Sequence, residues 1–359
     1  MTTEHVGATS LVMHEGNGFS CAVTGSDGLE QEILRLRNAN RDSPETLEYI
    51  DWRYQSSRDA PEPRVFWLLS QDGQQRIGMA SVVFRPYWIN GVRVQTAVVG
   101  DISLDTRWRG RGLGRLLLRF MTNYLDEHFP QQPAFVIPTE AARKALASVG
   151  WVTQGALVPH VYVLDCTRYV RALVRSGWLA TRIAGQIRRL AGAVARARTP
   201  RDGSLHFKDT LDESLLQFAR TLPASDGTVH DTGPEALRWR YAQHPKTRFT
   251  FATFSRSGEV RGFLVFEEST LEQTCSIYDL VARTRPDMRA MLALFILRGL
   301  SMPGLITVRV LLDDRHPHRT CLRRLGFIAR RSDAVFQVHS PSGTAERLAW
   351  CVTQGDKDT

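Results

Sequence analysis

Ile102-Ser103-Leu104-Asp105-Thr106-Arg107-Trp108-Arg109-Gly110-Arg111-Gly112-Leu113-Gly114-Arg115 carries an apolar strand end into a turn of arginines and glycines. Leu116-Leu117-Leu118-Arg119-Phe120-Met121 follows at once as a helical run. Gly112 and Gly114 remove the Cβ atoms that would hold a ligand off the backbone, and they tolerate unusual dihedrals. The first turn of a helix leaves amide N–H groups unpaired, and its dipole favours anions. Strand, glycine turn and helix start together predict a pyrophosphate cradle over Gly110, Arg111, Gly112, Leu113, Gly114 and Arg115. Arg109, Arg111 and Arg115 add positive charge around it. No Gly-Lys-Ser/Thr ends the turn, which excludes the larger Walker-type loop.

Outward from the cradle, strands are expected at 65–70, 77–84 and 92–104, with turn signals at Gln71-Asp72-Gly73 and Ile89-Asn90-Gly91. Helices are expected at 30–38, after Ser43-Pro44-Glu45-Thr46, and from the cradle to about His128. A short strand at 134–137, a helix at 139–149 stopped by Gly150, and closing strands at 151–152 and 157–164 complete a mixed α/β unit over 28–166. Residues 1–27 are expected to be a flexible leader.

The second half repeats the first in outline. Asp51-Trp52-Arg53-Tyr54 returns as Arg238-Trp239-Arg240-Tyr241, 187 positions later. Arg64-Val65-Phe66 with Gly78 returns as Arg248-Phe249-Thr250 with Gly262 at offset 184, and Val149-Gly150-Trp151 returns as Leu325-Gly326-Phe327 at offset 176. Order is kept while the offset shrinks smoothly, which points to a tandem duplication with its second unit at 206–340 and a tail at 341–359. The segment matching the cradle, Tyr278 to Met291, has no glycine in its turn. Side chains there would block close backbone approach, so cofactor binding is assigned to the first unit.

The cradle segment resembles the acetyl-CoA signature of the GNAT acetyltransferase superfamily, Arg/Gln-x-x-Gly-x-Gly/Ala, met by Arg109, Gly112 and Gly114, with Leu104 as the apolar residue five before the arginine. Thr106 stands where the family usually has proline. The resemblance implies two tandem GNAT-like domains, each a twisted, mostly antiparallel sheet flanked by helices, the second degenerate. It implies acetyl-CoA as donor and an amine as acceptor, in a small molecule, amino sugar, peptide N-terminus or lysine. It also implies that the main chain of Ile102, Ser103 and Leu104 pairs with the pantetheine arm. The family's general-acid tyrosine falls on Leu146 in the first unit and Leu322 in the second, so neither copy has it. Asp101 is the candidate base, with Ser103 on the same strand face by alternation. A hydrogen-bonded structural aspartate is the alternative for Asp101. His160 and Tyr162 could line the acceptor slot or be structural. The two Trp-Arg-Tyr words could stack on an acceptor or anchor helix ends in each core. Asp313-Asp314-Arg315-His316-Pro317-His318 is contiguous rather than spaced for one ligand sphere, and no metal is expected.

The net charge of +9 is concentrated. Residues 167–201 hold nine arginines and no acidic residue, enough to account for the whole excess. Within this basic helical connector (167–205), Leu179, Ile183, Ile187, Leu190 and Val194 form an apolar stripe, and Arg168, Arg171, Arg175, Arg182, Arg189 and Arg196 fall near another line. An interdomain helix, an anionic membrane surface through 168–198 and an acidic partner all fit this pattern. Nucleic acid is not the expected partner. Five scattered cysteines without metal or disulfide spacing suit a reducing, cytoplasmic setting. The rivals to an acyl-CoA-dependent N-acyltransferase are a non-catalytic CoA-binding scaffold and a Fem-type aminoacyl transferase. The latter would not need the glycine cradle.

Overall fold

Val65-Phe66-Trp67-Leu68 is apolar without alternation, and all four residues are buried. Phe66 and Leu68 join one core cluster and Val65 and Trp67 another. A strand covered on both faces reads as a continuous apolar run, so helices must lie on both sides of the sheet. The computed structural model describes residues 12–14, 18–55, 59–174, 176–222 and 227–357.

The first unit comprises β1 (Val12–His14), β2 (Ser20–Thr24), α1 (Glu30–Asn38), α2 (Leu47–Tyr54), β3 (Arg64–Leu69), β4 (Arg76–Ile89), β5 (Val92–Leu104), α3 (Leu113–His128), β6 (Ala134–Val136), α4 (Glu140–Ala147) and β7 (Val152–Val163). The connector holds α5 (Thr167–Leu173) and α6 (Gly177–Ala197). The second unit comprises β8 (Gly203–Lys208), α7 (Glu213–Arg220), β9 (Thr228–His230), α8 (Pro234–Leu237), β10 (Thr250–Arg256), β11 (Glu259–Ser269), β12 (Thr274–Ala282), α9 (Arg285–Ser301), β13 (Thr307–Asp313), α10 (Arg319–Leu325), β14 (Ile328–Ala329) and β15 (Val335–His339). The two units are mixed α/β folds in tandem, and their ladders are mostly antiparallel. The parallel pairs are β5–β6 and β12–β13.

Local physics explains the repeated words. Gly78 faces Leu104 across β4–β5, and a Cβ there would lie 2.8 Å from the Leu104 Cδ1. Gly262 faces Ala282 across β11–β12, and a Cβ there would lie 2.7 Å from the Val281 oxygen. Gly150 and Gly326 end α4 and α10 at φ +99° and +102°. The next residues, Trp151 and Phe327, donate back to the carbonyls of Leu146 and Leu322, which closes each helix and turns the chain into the core.

The domain limits expected from sequence need correction. The sheet runs continuously in the order β1-β2-β3-β4-β5-β6-β15-β7-β13-β12-β11-β10-β8. β15, from the end of the second unit, sits between β6 and β7 of the first. The far half of β7 sits between β13 and β14 of the second. Each unit thus lends a closing strand to the other, and neither 166 nor 340 is a clean boundary. The expected tail is built in: Ala345, Trp350 and Val352 join the first unit's core, and the buried Asp356 accepts the Tyr87 hydroxyl at 2.6 Å. Part of the expected leader belongs to the sheet. Ser20–Thr24 pairs with β3, because Cys21 and Val23 complete the apolar face beneath α3. Residues 1–11 and 15–17 of that leader lie outside the described residues, as does Arg175 of the connector.

Helix α6 turns its small residues inward. Ala180, Ala184 and Ala195 are buried, whereas Leu179, Ile187, Leu190 and Val194 of the apolar stripe are exposed, with Trp178 68% and Leu190 66% accessible. Among the described residues no helix is long and apolar enough to cross a membrane.

Candidate functional site

The glycine turn lies between a strand and a helix, as its sequence predicts. β5 ends at Leu104, a 3-10 turn spans Thr106–Trp108, and Gly112 caps α3 in the left-handed conformation. Gly110 and Gly112 both have φ +76°, the region that disfavours any residue with a Cβ. A Cβ on Gly110, Gly112 or Gly114 would meet no atom within 4 Å, so the space over the turn is open. Among the described residues, the amides from Gly110 to Gly114 donate to no protein acceptor, and the ladder of α3 begins with Arg115 donating to the Gly112 carbonyl at 3.1 Å. Free N–H groups and a helix dipole aimed at open solvent make an anion seat.

Side chains around the turn divide into supports and free charges. Leu113 is buried and anchors the helix start in the core. Arg109 folds back and its Nε donates to the Leu104 carbonyl at 3.3 Å, bracing the turn. Arg111 lies 5.0 Å over the Trp108 ring, which packs edge-on against Phe19. Asp105 accepts from the Arg107 amide at 3.1 Å and pairs its guanidinium at 2.7 Å. That hydrogen-bonded pairing holds the Asp105 carboxyl at about 2. Arg115 is exposed beside the amides.

The adjoining strand supplies an open edge. β5 pairs with β6 only at Ala97–Ala134 and Val98–Phe135. From Val99 to Leu104 that edge of β5 has no ladder partner among the described residues. Asp101, at φ +51°, is part of a bulge in β5: Met79 faces Ser103 while Ser81 faces Gly100. The extra residue re-aims the strand. Gly100 and Asp101 both face α1 and α2, and Ile102 and Leu104 face the cluster beneath α3. Ser103 is 9% exposed.

Asp101 is not placed as a base. Its carboxylate is buried, ion-paired with Arg37 of α1 and, at 2.8 Å, with Arg53 of α2. It also accepts the Tyr54 hydroxyl at 3.0 Å and the Ser81 hydroxyl at 3.2 Å. Its lone pairs are committed to four donors, so it joins the helical layer to the bulge. The second unit has a counterpart: Tyr241 donates to Asp279 at 2.5 Å, and a bulge again interrupts the strand opposite Val265. That shared contact explains why the Trp-Arg-Tyr word recurs. Trp52 and Trp239 pack against each other at the junction of the units. Both words therefore anchor the fold.

Three other expectations resolve in the same way. Leu146 and Leu322 are fully buried, so the position of the missing tyrosine is core in both units. Tyr162 packs on Phe327, and His160 lines a cavity of the second unit, because this half of β7 has crossed over. Asp313 accepts from the amides of Arg315 and Val352, each at 2.8 Å, and burial pushes its carboxyl up to about 6. The Arg37 and Arg53 partnership with Asp101 escaped the sequence because the three lie on separate elements. The only local hint was an aspartate in the middle of an otherwise uncharged strand segment.

No curated protein matches the sequence. Residues 30–147 match the acetyltransferase (GNAT) family. Among solved structures, the chain is similar to a conserved protein of unknown function from Enterococcus faecalis V583 described as a probable N-acyltransferase, with a TM-score of 0.63, 12% identity, and 90% of this chain and 72% of that chain covered. It is also similar to GCN5-related N-acetyltransferases from Anabaena variabilis ATCC 29413 (TM-score 0.61, 12% identity, 89% and 72% covered) and Kribbella flavida (TM-score 0.55, 15% identity, 90% and 73% covered). At such identities the likeness is one of fold, and it spans both units. An open glycine turn, a strand edge without ladder partners and the match to the acetyltransferase (GNAT) family coincide within 30–147.

Proposed function

We propose that this protein is an acyl-CoA-dependent N-acyltransferase, transferring acetyl from acetyl-CoA to an amine at the first unit. The observation that carries this reading is the row of unbonded amides from Gly110 to Gly114 under open space, beside a strand edge free from Val99 to Leu104. The amides and Arg115 would hold the diphosphate. The free edge around Ile102, Ser103 and Leu104 would pair with the pantetheine arm and offer an N–H to the thioester oxygen as charge develops there. Holding thioester and amine together supplies much of the acceleration. With Asp101 fully engaged and Leu146 in the tyrosine position, no side chain is assigned as base or acid. The amine loses its proton to water, and the CoA thiolate leaves unassisted.

Calorimetry with acetyl-CoA, followed by thiol release across an amine panel, tests this. Binding without turnover on any amine would make the protein a CoA-binding scaffold. Absence of CoA binding together with tRNA binding would favour the aminoacyl transferase.

The connector supports peripheral contact with an anionic membrane. Along α6, Leu179, Ile183, Ile187, Leu190 and Val194 form one stripe, and Arg182, Arg189 and Arg196 form a ridge beside it. Leu173 on α5 extends the apolar surface at 86% exposure. A second copy would bring arginines against arginines, whereas anionic headgroups complement them at about 1 kcal/mol per charge. Free thiols at all five cysteines fit a cytoplasmic site.

A further inference from the structure

In the second unit, a cavity of about 570 Å³ opens between the start of α9, the 313–318 loop and α10. It occupies the place in the repeat that the cradle holds in the first unit, but it is built from side chains. Arg285 and Arg289 reach it from α9, Arg315 from the loop, and Arg319, Arg323 and Arg324 from α10. No carboxylate lines it, and none of the six arginines has an ion pair among the described residues. His160 closes the wall from the exchanged strand β7. It is 3% exposed, and neither ring nitrogen has a hydrogen-bond partner. The Nε atoms of Arg289 and Arg319 are also buried without partners.

Buried donors without acceptors are costly, and six like charges around one cavity repel. Burial, then Arg319, pushes the His160 imidazole down to about 4, while burial and Arg285 do the same to His318. His316 is also pushed down, by burial first and then by His318. The histidines are therefore neutral near pH 7, and the positive charge is all guanidinium. A ligand that satisfies this wall must bring several acceptor oxygens and more than one negative charge.

We propose that this cavity binds a phosphorylated small molecule, with Arg289 and Arg319 taking the phosphate oxygens and His160 donating a neutral N–H. Arginine forks match phosphate geometry. The volume falls within the range of small-molecule sites, about 300–1,000 Å³.

The test uses the full chain carrying Gly114→Glu, so that the first unit's cradle does not contribute. Inorganic phosphate and pyrophosphate are titrated by calorimetry, with the histidine ring resonances followed by NMR. Saturable binding that shifts the His160 and His318 signals is expected. In Arg289→Gln/Arg319→Gln, affinity should fall at least about tenfold, as for loss of charge-assisted hydrogen bonds. If that variant does not fold, the exposed Arg323→Gln/Arg324→Gln pair serves, with a fall of about three- to tenfold expected. Absence of saturation at millimolar phosphate, unchanged affinity in a folded variant, or tighter binding of citrate than of pyrophosphate would overturn the assignment.

Discussion

Trp52 and Trp239 stack with ring centroids 5.0 Å apart and planes 10° from parallel, and each indole N–H donates to the other's main-chain carbonyl, at 2.7 and 3.0 Å. The two residues are repeat-related, so the junction between the units is a local two-fold made from one duplicated word. Trp52→Ala should cost about 3–5 kcal/mol of unfolding free energy. The double alanine variant should cost less than the sum of the singles, because both remove one contact. Trp52→Phe, which keeps the ring but loses the bond, should cost about 1 kcal/mol. Urea unfolding measures all of these, and strict additivity would show that the stack is incidental.

Asp101→Asn leaves Arg37 and Arg53 buried against a neutral amide. Removing one partner of a buried ion pair costs about 3–5 kcal/mol. The expected phenotype is a lowered melting temperature with acetyl-CoA affinity retained in the folded fraction. An unchanged melting temperature with turnover abolished would return Asp101 to the role of base.

Gly114 is the cleaner cradle position, since it lacks the positive φ of Gly110 and Gly112 and faces open space. Gly114→Glu should remove acetyl-CoA binding by at least about a hundredfold, because a carboxylate meets the diphosphate. Stability should hold or rise by up to about 1 kcal/mol, as glycine is replaced in a helix. Calorimetry and thermal melting on the same sample read both effects. Undiminished affinity would remove the site.

His230 lies between Asp279 at 2.9 Å and Asp356 at 3.1 Å in the junction. Burial and the Arg240 charge push its pKa down, but the two carboxylates outweigh them and raise it to about 9, from an ordinary 6.5. A raised folded-state pKa means that the stabilisation is fully present below about 6.5 and is lost as pH rises through about 9. Each pKa unit is worth about 1.4 kcal/mol. Melting temperature should therefore fall between pH 7 and 9.5, and His230→Asn should lose that slope while being less stable at pH 7.

Vesicle sedimentation examines α6. Binding is expected to equimolar phosphatidylglycerol and phosphatidylcholine vesicles, weakened by 0.5 M salt and absent from pure phosphatidylcholine. Ile187→Glu/Leu190→Glu should reduce it at least about tenfold, since it loses apolar burial and adds negative charge. Equal partition into both vesicle types would discard the anionic preference, and no binding to either would discard the membrane surface.

What the residues alone determined is what short-range physics controls. A strand, two glycines and a helix start lie within about 20 positions, so the strand–turn–helix geometry around Gly110 to Arg115 is legible from local sequence alone. Gly78 with Gly262, and Gly150 with Gly326, betrayed the duplication because close strand approach and left-handed helix ends each demand glycine. Tertiary structure decided the rest. No local pattern shows that β7 serves both units or that β15 returns to the first, because strand pairing is settled by partners roughly 150 to 200 positions away. Nor does it show Asp101 clasped by arginines of two different helices. The stripe on α6 looked fit for a core. Only packing revealed that Ala180, Ala184 and Ala195 take the inner face, Ala195 in the core that holds α9, and that the large apolar side chains stay outside.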